Sequence, residues 1–170
     1  MVSYRSIPIN IKRFGSALAA LTAAFSVASI ATAPAMAQSE ANFGSVTLQN
    51  GSAPGPLRGH TQGTTPLSAI ARQDANGTHC VGYGETEPDH ILVLPQPVSR
   101  ITVMVNSGGQ DTTLLVRAAG NGQVFCADDS DNADARLQGQ GWGAGRYQVW
   151  VGSFDPGVRY DYQLTVQGNP

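Results

Sequence analysis

The sequence predicts an all-β protein, an antiparallel β-sandwich of jelly-roll-like character with about 7–9 strands. Three observations lead to this prediction. Several short segments alternate between apolar and polar residues with the period of two that a half-buried strand requires. The 20 glycines and 10 prolines are spread along the chain and would interrupt most helices. After residue 37, no stretch keeps an apolar period of 3.6 residues over a helix-sized window.

The last segment, YDYQLTV, is the clearest predicted strand because its tyrosines, leucine and valine all share one face. The segment before it, GRYQVWVG, alternates in the same way. The turn residues of SFDPG between them predict a C-terminal hairpin or an adjacent antiparallel pair. Further strands are predicted at FGSVTLQ, HILVLP, RITVMVN, TTLLVRAA and QVFCA. Residues 50–66 are rich in glycine and proline and predict a loop.

The first 37 residues are typical of a Sec-type export signal. Arg5, Lys12 and Arg13 precede a run of small and apolar residues, and an A-x-A pattern predicts cleavage after Ala37. The alternative is a transmembrane anchor, which the serines and threonines within the run and Pro34 at its end disfavour. We therefore expect a bacterial protein of the periplasm or the exterior, with no lipid or membrane anchor.

Residues 38–170 are expected to form one mature domain. Residues 38–66 supply an N-terminal strand and a Gly/Pro-rich loop, and residues 67–170 form the sandwich. This part of the chain has seven arginines, no lysine and 12 acidic residues, so its net charge is −5. Along the sequence the arginines form no cluster or stripe. Nucleic acid is therefore excluded as a partner, and an anionic membrane surface is disfavoured.

The two cysteines, Cys80 and Cys126, predict a disulfide bond because exported proteins meet an oxidising compartment. The bridge would close a loop of about 47 residues, worth on the order of 4 kcal/mol in the chain-entropy model. The alternative is metal ligation by the two thiolates together with His79. Without any C-x-x-C spacing, the sequence gives that alternative little support.

The segment VFCADDSDNADARLQG is a candidate calcium loop, because calcium prefers several carboxylate and amide oxygens. Its donors would be drawn from the acidic and amide residues Asp128, Asp129, Asp131, Asn132 and Asp134. The EF-hand pattern fails because glycine and glutamate are missing at the required positions. The alternative is a solvated acidic loop whose side chains bond to their own backbone.

A serine-protease-like hydrolase is the catalytic alternative. GTHC and NSGG resemble fragments of chymotrypsin-type proteases, and His79, Asp89 and Ser107 follow that family's triad order. The chain is too short for the two barrels of that fold, and Asn106 replaces its usual aspartate. NSGG is more simply a turn.

Other polar residues suggest weaker sites. His60 and His90 lack zinc-binding spacings. Glu85 and Glu87 lie near Asp89 and could form a glycosidase carboxylate pair. We favour instead a charged, solvated loop that enters the strand at His90.

Two aromatic residues are candidates for a binding surface. Trp142 follows a glycine-rich segment. Trp150 falls on the opposite face of its strand from Tyr147, Val149 and Val151. Packing in the core is the alternative for both indoles.

From Pro88 onward the ordered motifs resemble the bacterial pre-peptidase C-terminal domain family. They are PDHILVL, then ITVMVNSGGQDTTLLVRAAGNGQVFCADDSDN, then GWGAGRYQVWVGSFDPGVRYDYQLTV. The similarity spans about 80 residues and extends to uncharacterised exported proteins that share this core. It implies a jelly-roll-like sandwich without catalytic residues, of the kind that often accompanies secreted peptidases.

The resemblance also implies a calcium site between a strand start and a later acidic loop. Asp111 matches the first acid of the family pattern, and Asp128 and Asp129 match the later ones. Thr113 stands where the family has a second aspartate, which removes one carboxylate. Asp131, a candidate from the composition of the acidic segment alone, completes the set of candidate metal ligands.

We therefore expect a non-catalytic binding or accessory module that recognises a protein or a cell-envelope glycan. A calcium-stabilised structural domain is the second hypothesis, and the small hydrolase is the third. No peptidase precedes the domain in this sequence, so we expect it to act alone or on a separate partner. The sequence carries no signal for an oligomeric state.

Overall fold

The computed structural model describes residues 41–49, 53–129 and 132–169, so the predicted signal and its cleavage site lie outside the described residues. This part of the chain contains eleven strands and one four-residue helix. In chain order the elements are β1 (Ser45–Thr47), β2 (Leu57–His60), β3 (Thr65–Pro66), α1 (Leu67–Ile70), β4 (Tyr83–Gly84), β5 (His90–Leu94), β6 (Val98–Asn106), β7 (Thr112–Ala118), β8 (Val124–Ala127), β9 (Arg136–Trp142), β10 (Gly145–Ser153) and β11 (Asp161–Asn169). No helix among the described residues is long and apolar enough to cross a membrane.

The strands form two sheets packed together, which confirms the predicted all-β sandwich. Sheet A contains β1, β3, β4, β5, β7, β8 and β10, and β10 pairs with both β5 and β7. Sheet B has the order β2-β11-β6-β9. The pairings between named strands are antiparallel except for β1 with β5. That pair is parallel because residues 42 and 43 begin beside Pro88 and Asp89, to whose carbonyls their amides donate.

The main core lies between the sheets because alternate residues of each strand point inward. Along β6, for example, Ile101, Val103 and Val105 are buried, and the residues between them face outward. At one end of this core Trp142 stacks on Phe125, with ring centroids 4.1 Å apart. The inner faces of the two sheets therefore supply most of the apolar burial that stabilises the fold.

The outer face of sheet A is covered by residues 67–82, the covering segment. Leu67 packs there with Leu115 and Trp150 in a second apolar cluster. The disulfide between Cys80 and Cys126 ties the covering segment to β8, which confirms the predicted bridge. Sheet A is therefore buried on both faces over this region, as its continuously apolar β7 suggested.

One predicted pairing is wrong. The segments GRYQVWVG and YDYQLTV form β10 and β11, which belong to different sheets and make no hairpin. The seven connecting residues can bridge two sheets that lie about 10 Å apart. Buried Thr61 fixes this connection, because its hydroxyl donates to the Val158 carbonyl at 2.8 Å and accepts from the Tyr160 amide at 2.9 Å.

The loop predicted over residues 50–66 is also partly wrong, since β2 and β3 lie within it. Strand β9, with the sequence RLQGQGW, carried no apolar alternation strong enough to predict it. It becomes a strand because β6 offers a free edge to which it pairs over six residue pairs. Both omissions concern strands that depend on a neighbour more than on their own composition.

Candidate metal centre

A cluster of three carboxylates lies at one end of sheet A. Asp111 immediately precedes β7, and Asp128 and Asp129 immediately follow β8. Strands β7 and β8 are antiparallel, with Leu114 opposite Ala127. The start of one strand therefore meets the end of the other. The pairing register, which no local pattern specifies, brings the three acids together.

The three side chains are close enough to share one cation. One carboxylate oxygen from each of Asp111, Asp128 and Asp129 lies within 4.8 Å of the other two. Two oxygens bound to a single calcium ion at 2.3–2.6 Å lie at most about 5 Å apart, so these separations fit that ion. Carboxylate oxygens are also the hard donors that calcium prefers.

The cluster contains polar atoms whose hydrogen-bonding capacity is unused. Oδ1 of Asp111 and Oδ1 of Asp128 are buried and accept no hydrogen bond within the described residues. The hydroxyl of Thr113, fully buried on β7, is likewise without a partner there. Continuing the β7–β8 register by one residue places Thr113 opposite Asp128. Such orphaned oxygens are costly unless a further group satisfies them.

The electrostatics of the cluster also favour a cation. Desolvation raises the pKa of Asp111, and the charges of Asp129 and Asp155 raise it further. The pKa of Asp128 is raised by desolvation and then by Asp129 and Asp111. A divalent cation would relieve this mutual repulsion, because an opposite charge nearby stabilises each ionised carboxylate.

The other predicted calcium donors of the acidic segment are Asp131, Asn132 and Asp134. Asp131 lies outside the described residues. Asp134 is buried and accepts hydrogen bonds from the Ser107 amide and hydroxyl and from the Gly109 amide. Asn132 donates to the same carboxylate at 3.2 Å. Asp134 and Asn132 therefore stabilise the turn after β6 and are not part of the carboxylate cluster, contrary to their candidacy as calcium donors.

The residues of the proposed serine-protease triad are held by other partners. Ser107 bonds to Asp134 and not to a histidine. Asp89 is 1% exposed and accepts the Val151 amide at 2.7 Å. His79 lies in an isolated bridge with Gln73 on the covering segment. The structure gives the triad alternative no support, because each of these residues belongs to a different local structure.

A buried polar group between the sheets was missed by the sequence analysis. His90 on β5 shares a 2.9 Å hydrogen bond with the Tyr162 hydroxyl on β11. Burial lowers the pKa of His90 to about 4. Burial also raises the pKa of Asp89 to about 7, against the opposing hydrogen bonds from Val151 and Asn42. The pKa of Tyr162 is raised by burial and by Asp89.

This group corrects the interpretation of Asp89 and His90 as part of a solvated loop, since both are buried. The same burial argues against Asp89 as a glycosidase carboxylate with Glu85 or Glu87, because Asp89 does not face solvent. The signal in the sequence was a polar pair placed directly against the apolar run ILVL. Period-two analysis cannot identify such a pair as buried when the strand is apolar on both faces.

The predicted aromatic binding surface is wrong. Trp142 is 1% exposed and stacks in the main core, where it also contacts Tyr147. Trp150 is 2% exposed, beneath the covering segment and under the guanidinium of Arg117. The metal alternative at Cys80 and Cys126 is likewise overturned, because the two sulfurs are joined to each other.

No family model matches this chain, and no curated protein matches it significantly. Among solved structures, the chain is similar to PliG from Aeromonas hydrophila, a periplasmic lysozyme inhibitor of g-type lysozyme. The two chains are 19% identical, and the match covers 74% of this chain and 96% of PliG with a TM-score of 0.42. At these values the similarity carries no argument about the function of this chain.

Proposed function

We propose that the chain is an exported, non-catalytic β-sandwich module that acts by binding a protein or a cell-envelope glycan. The observation that carries this proposal is that the three residues of the possible catalytic triad form no hydrogen bonds with one another in the part of the chain that the structure describes. Ser107, Asp89 and His79 are each committed to a separate structural contact. Ser107 bonds to a carboxylate and to no histidine among the described residues, so it lacks the general base that activates the serine of that triad.

Export is supported by the disulfide between Cys80 and Cys126. Disulfides persist in oxidising compartments such as the periplasm and are rare where thiols are kept reduced. This agrees with the signal that the first 37 residues predict.

We further propose that the chain is related to pre-peptidase C-terminal domains and that calcium stabilises it. The resemblance selects Asp111, Asp128 and Asp129 as metal ligands. The support is that one carboxylate oxygen of each lies within 4.8 Å of the other two. The ion would neutralise the repulsion between the three carboxylates and join the start of β7 to the end of β8. Its role is structural, because no catalytic group adjoins the cluster among the residues described.

Reaction with a fluorophosphonate probe tests the non-catalytic proposal. We expect no covalent labelling of the folded protein, since Ser107 bonds to Asp134 and lacks a histidine base. A Ser107→Ala variant is the control for labelling at that position. Stoichiometric labelling of the wild type that this variant abolishes would overturn the proposal and establish a serine hydrolase.

Thermal unfolding with calcium and with chelator tests the metal proposal. Calcium at 100 times its dissociation constant should stabilise the fold by about 2.7 kcal/mol, because it binds the folded state alone. Asp111→Asn should abolish this shift. Asp161→Asn is the matched control, since Asp161 is exposed, paired with Arg159 and outside the cluster. An unchanged midpoint at millimolar calcium would contradict the metal site.

A further inference from the structure

The outer face of sheet B is bare in the part of the chain that the structure describes. Its strands β2, β11, β6 and β9 lie side by side, and their outward side chains are exposed or half-buried. We call this surface the bare face. Its side chains are Arg58, Arg100, Thr102, Met104, Asn106, Arg136, Gln138, Gln140, Asp161, Gln163, Thr165 and Gln167.

The charges on the bare face are predominantly positive. Arg58, Arg100 and Arg136 are exposed, and none of them makes an ion pair or a side-chain hydrogen bond within the described residues. The four strands contain a single acidic residue, Asp161, which lies at the end of β11 and pairs with Arg159. Residues 38–170 carry a net charge of −5, so this face is positive on an otherwise acidic domain.

The pairing register arranges the outward side chains in rows across the strands. One row contains Thr165, Met104 and Arg136, and the next contains Gln167, Thr102 and Gln138. Neighbouring strands are about 4.8 Å apart and alternate residues about 6.7 Å apart along a strand. Arg100 is four residues from Met104, so it lies about 13 Å along the strand direction from the row of Arg136.

A groove of about 810 Å³ lies at one end of the bare face. Arg136, Asn106 and Thr165 line it from the sheet, and the turn after β6 forms its rim. Asp134 also contributes to this rim. Its carboxylate accepts hydrogen bonds from Ser107, Gly109 and Asn132, so its charge is offset by donors within the turn.

The side chains of the bare face indicate which class of anionic partner it would bind. A guanidinium matches a carboxylate as a planar two-bond pair. Glutamine, asparagine and threonine both donate and accept, which suits sugar hydroxyls. Met104 is the one apolar side chain and is half-buried. The face therefore lacks the large apolar and aromatic anchors that membranes and protein partners usually require.

We propose that the bare face of sheet B binds a carboxylated polysaccharide. Arg58, Arg100 and Arg136 pair with its carboxylates, and the amide and hydroxyl side chains between them bond to its hydroxyls. The groove beside Arg136 holds one acidic residue of the chain. This inference rests on the proposed function, whose partner it narrows to one class of glycan.

Titration calorimetry with an oligogalacturonate of defined length tests the proposal. A chelator is present, so that a metal bridge at Asp111 does not contribute. Arg100→Gln and Arg136→Gln should each weaken binding about fivefold, the size expected for an exposed charge pair. Arg72→Gln is the matched control, because Arg72 is exposed on the covering segment of sheet A. Its affinity should equal that of the wild type.

Neutral maltodextrin of the same length, poly-L-glutamate and phosphatidylglycerol vesicles separate the alternatives. Binding to the oligogalacturonate alone supports the proposal. Equal binding to poly-L-glutamate or to vesicles, or an equal loss in Arg72→Gln, would overturn it. Gln138→Ala keeps every charge, so a measurable loss in this variant supports hydroxyl recognition even if an arginine variant unfolds.

Failure here is distinguishable from failure of the proposed function. A folded protein that binds no oligogalacturonate and is not labelled by the fluorophosphonate probe would overturn the glycan assignment only. Labelling at Ser107 would overturn the proposed function itself.

Discussion

The outer faces of the two sheets differ in what covers them. The outer face of sheet A lies under the covering segment, residues 67–82, which is held by the disulfide to Cys126 and packed on Trp150. The outer face of sheet B carries threonines, glutamines and three arginines that form no ion pair with any described residue. One sheet is therefore sandwiched between two apolar layers, whereas the other presents a polar surface.

This difference separates stability from recognition. Covering an apolar face removes apolar area from water, which stabilises the fold and leaves that face inaccessible to a partner. A face that stays polar contributes little to stability and remains available. The carboxylate cluster belongs to the first region, since Asp111, Asp128 and Asp129 flank strands of sheet A. We expect substitutions to divide along the same line.

Removal of the disulfide is expected to have the largest effect. Replacing Cys80 and Cys126 together by alanine should lower the free energy of unfolding by about 4 kcal/mol in the chain-entropy model. Urea unfolding measures this change. Tryptophan fluorescence can follow the two regions separately. In Trp142→Phe the remaining Trp150 reports on the region beneath the covering segment, and in Trp150→Phe the remaining Trp142 reports on the main core. A loss of unfolding free energy below about 1 kcal/mol would mean that apolar packing, without the disulfide, holds the covering segment on sheet A.

Two buried groups, Asp89 and His90, should make the stability of the fold depend on pH in opposite directions. The pKa of Asp89 is raised to about 7 in the fold. Its contribution to stability is therefore present below about pH 4 and lost as pH rises to 7, by on the order of 4 kcal/mol. The pKa of His90 is lowered to about 4, so its contribution is present above about pH 6.5 and lost as pH falls.

Urea unfolding between pH 4 and 7 separates these two contributions. Asp89→Asn removes the first, so the stability of that variant should rise with pH through this range. His90→Gln, the matched control, removes the second, so its stability should fall with pH more steeply than that of the wild type. Identical pH profiles for the wild type and Asp89→Asn would contradict the raised pKa.

Single substitutions on the two outer faces should differ in how much they lower the stability of the fold. The smallest effects are expected on the bare face. Leu67→Ala removes a fully buried side chain of the covering segment and should cost about 2–5 kcal/mol. Gln138→Ala on the bare face should change stability by less than about 0.5 kcal/mol. Thermal unfolding of the two variants measures the contrast. A large loss for Gln138→Ala would show that the bare face contributes to folding.

Local pattern predicted the strands whose own residues carry an apolar face. β5, β6, β7, β10 and β11 all appear where alternation or an apolar run placed them. The pattern failed for β9, whose glutamines and glycines are strand only through pairing with β6. It also failed for the pairing of β10, because the choice between a hairpin and a crossing depends on contacts of Thr61 that are distant in sequence.

The candidate site was predictable only in part. The predicted export signal made a disulfide between Cys80 and Cys126 plausible. The sequence resemblance to pre-peptidase C-terminal domains made Asp111, Asp128 and Asp129 plausible ligands of one metal ion. Trp142 and Trp150 could not be assigned to a surface or a core, because an indole suits both. The arginines of the bare face were scattered along the sequence. Arg58, Arg100 and Arg136 share a face because β2, β6 and β9 belong to one sheet.

By itself the sequence determined the all-β class, the disulfide pair and the identity of the acidic segment. These follow from residue type and from periods of two, which act over a few neighbouring residues. Only the tertiary structure decided which face is covered, which carboxylates meet and where the positive charge collects. Strand order and register decide such features, and they depend on contacts between residues far apart in the chain.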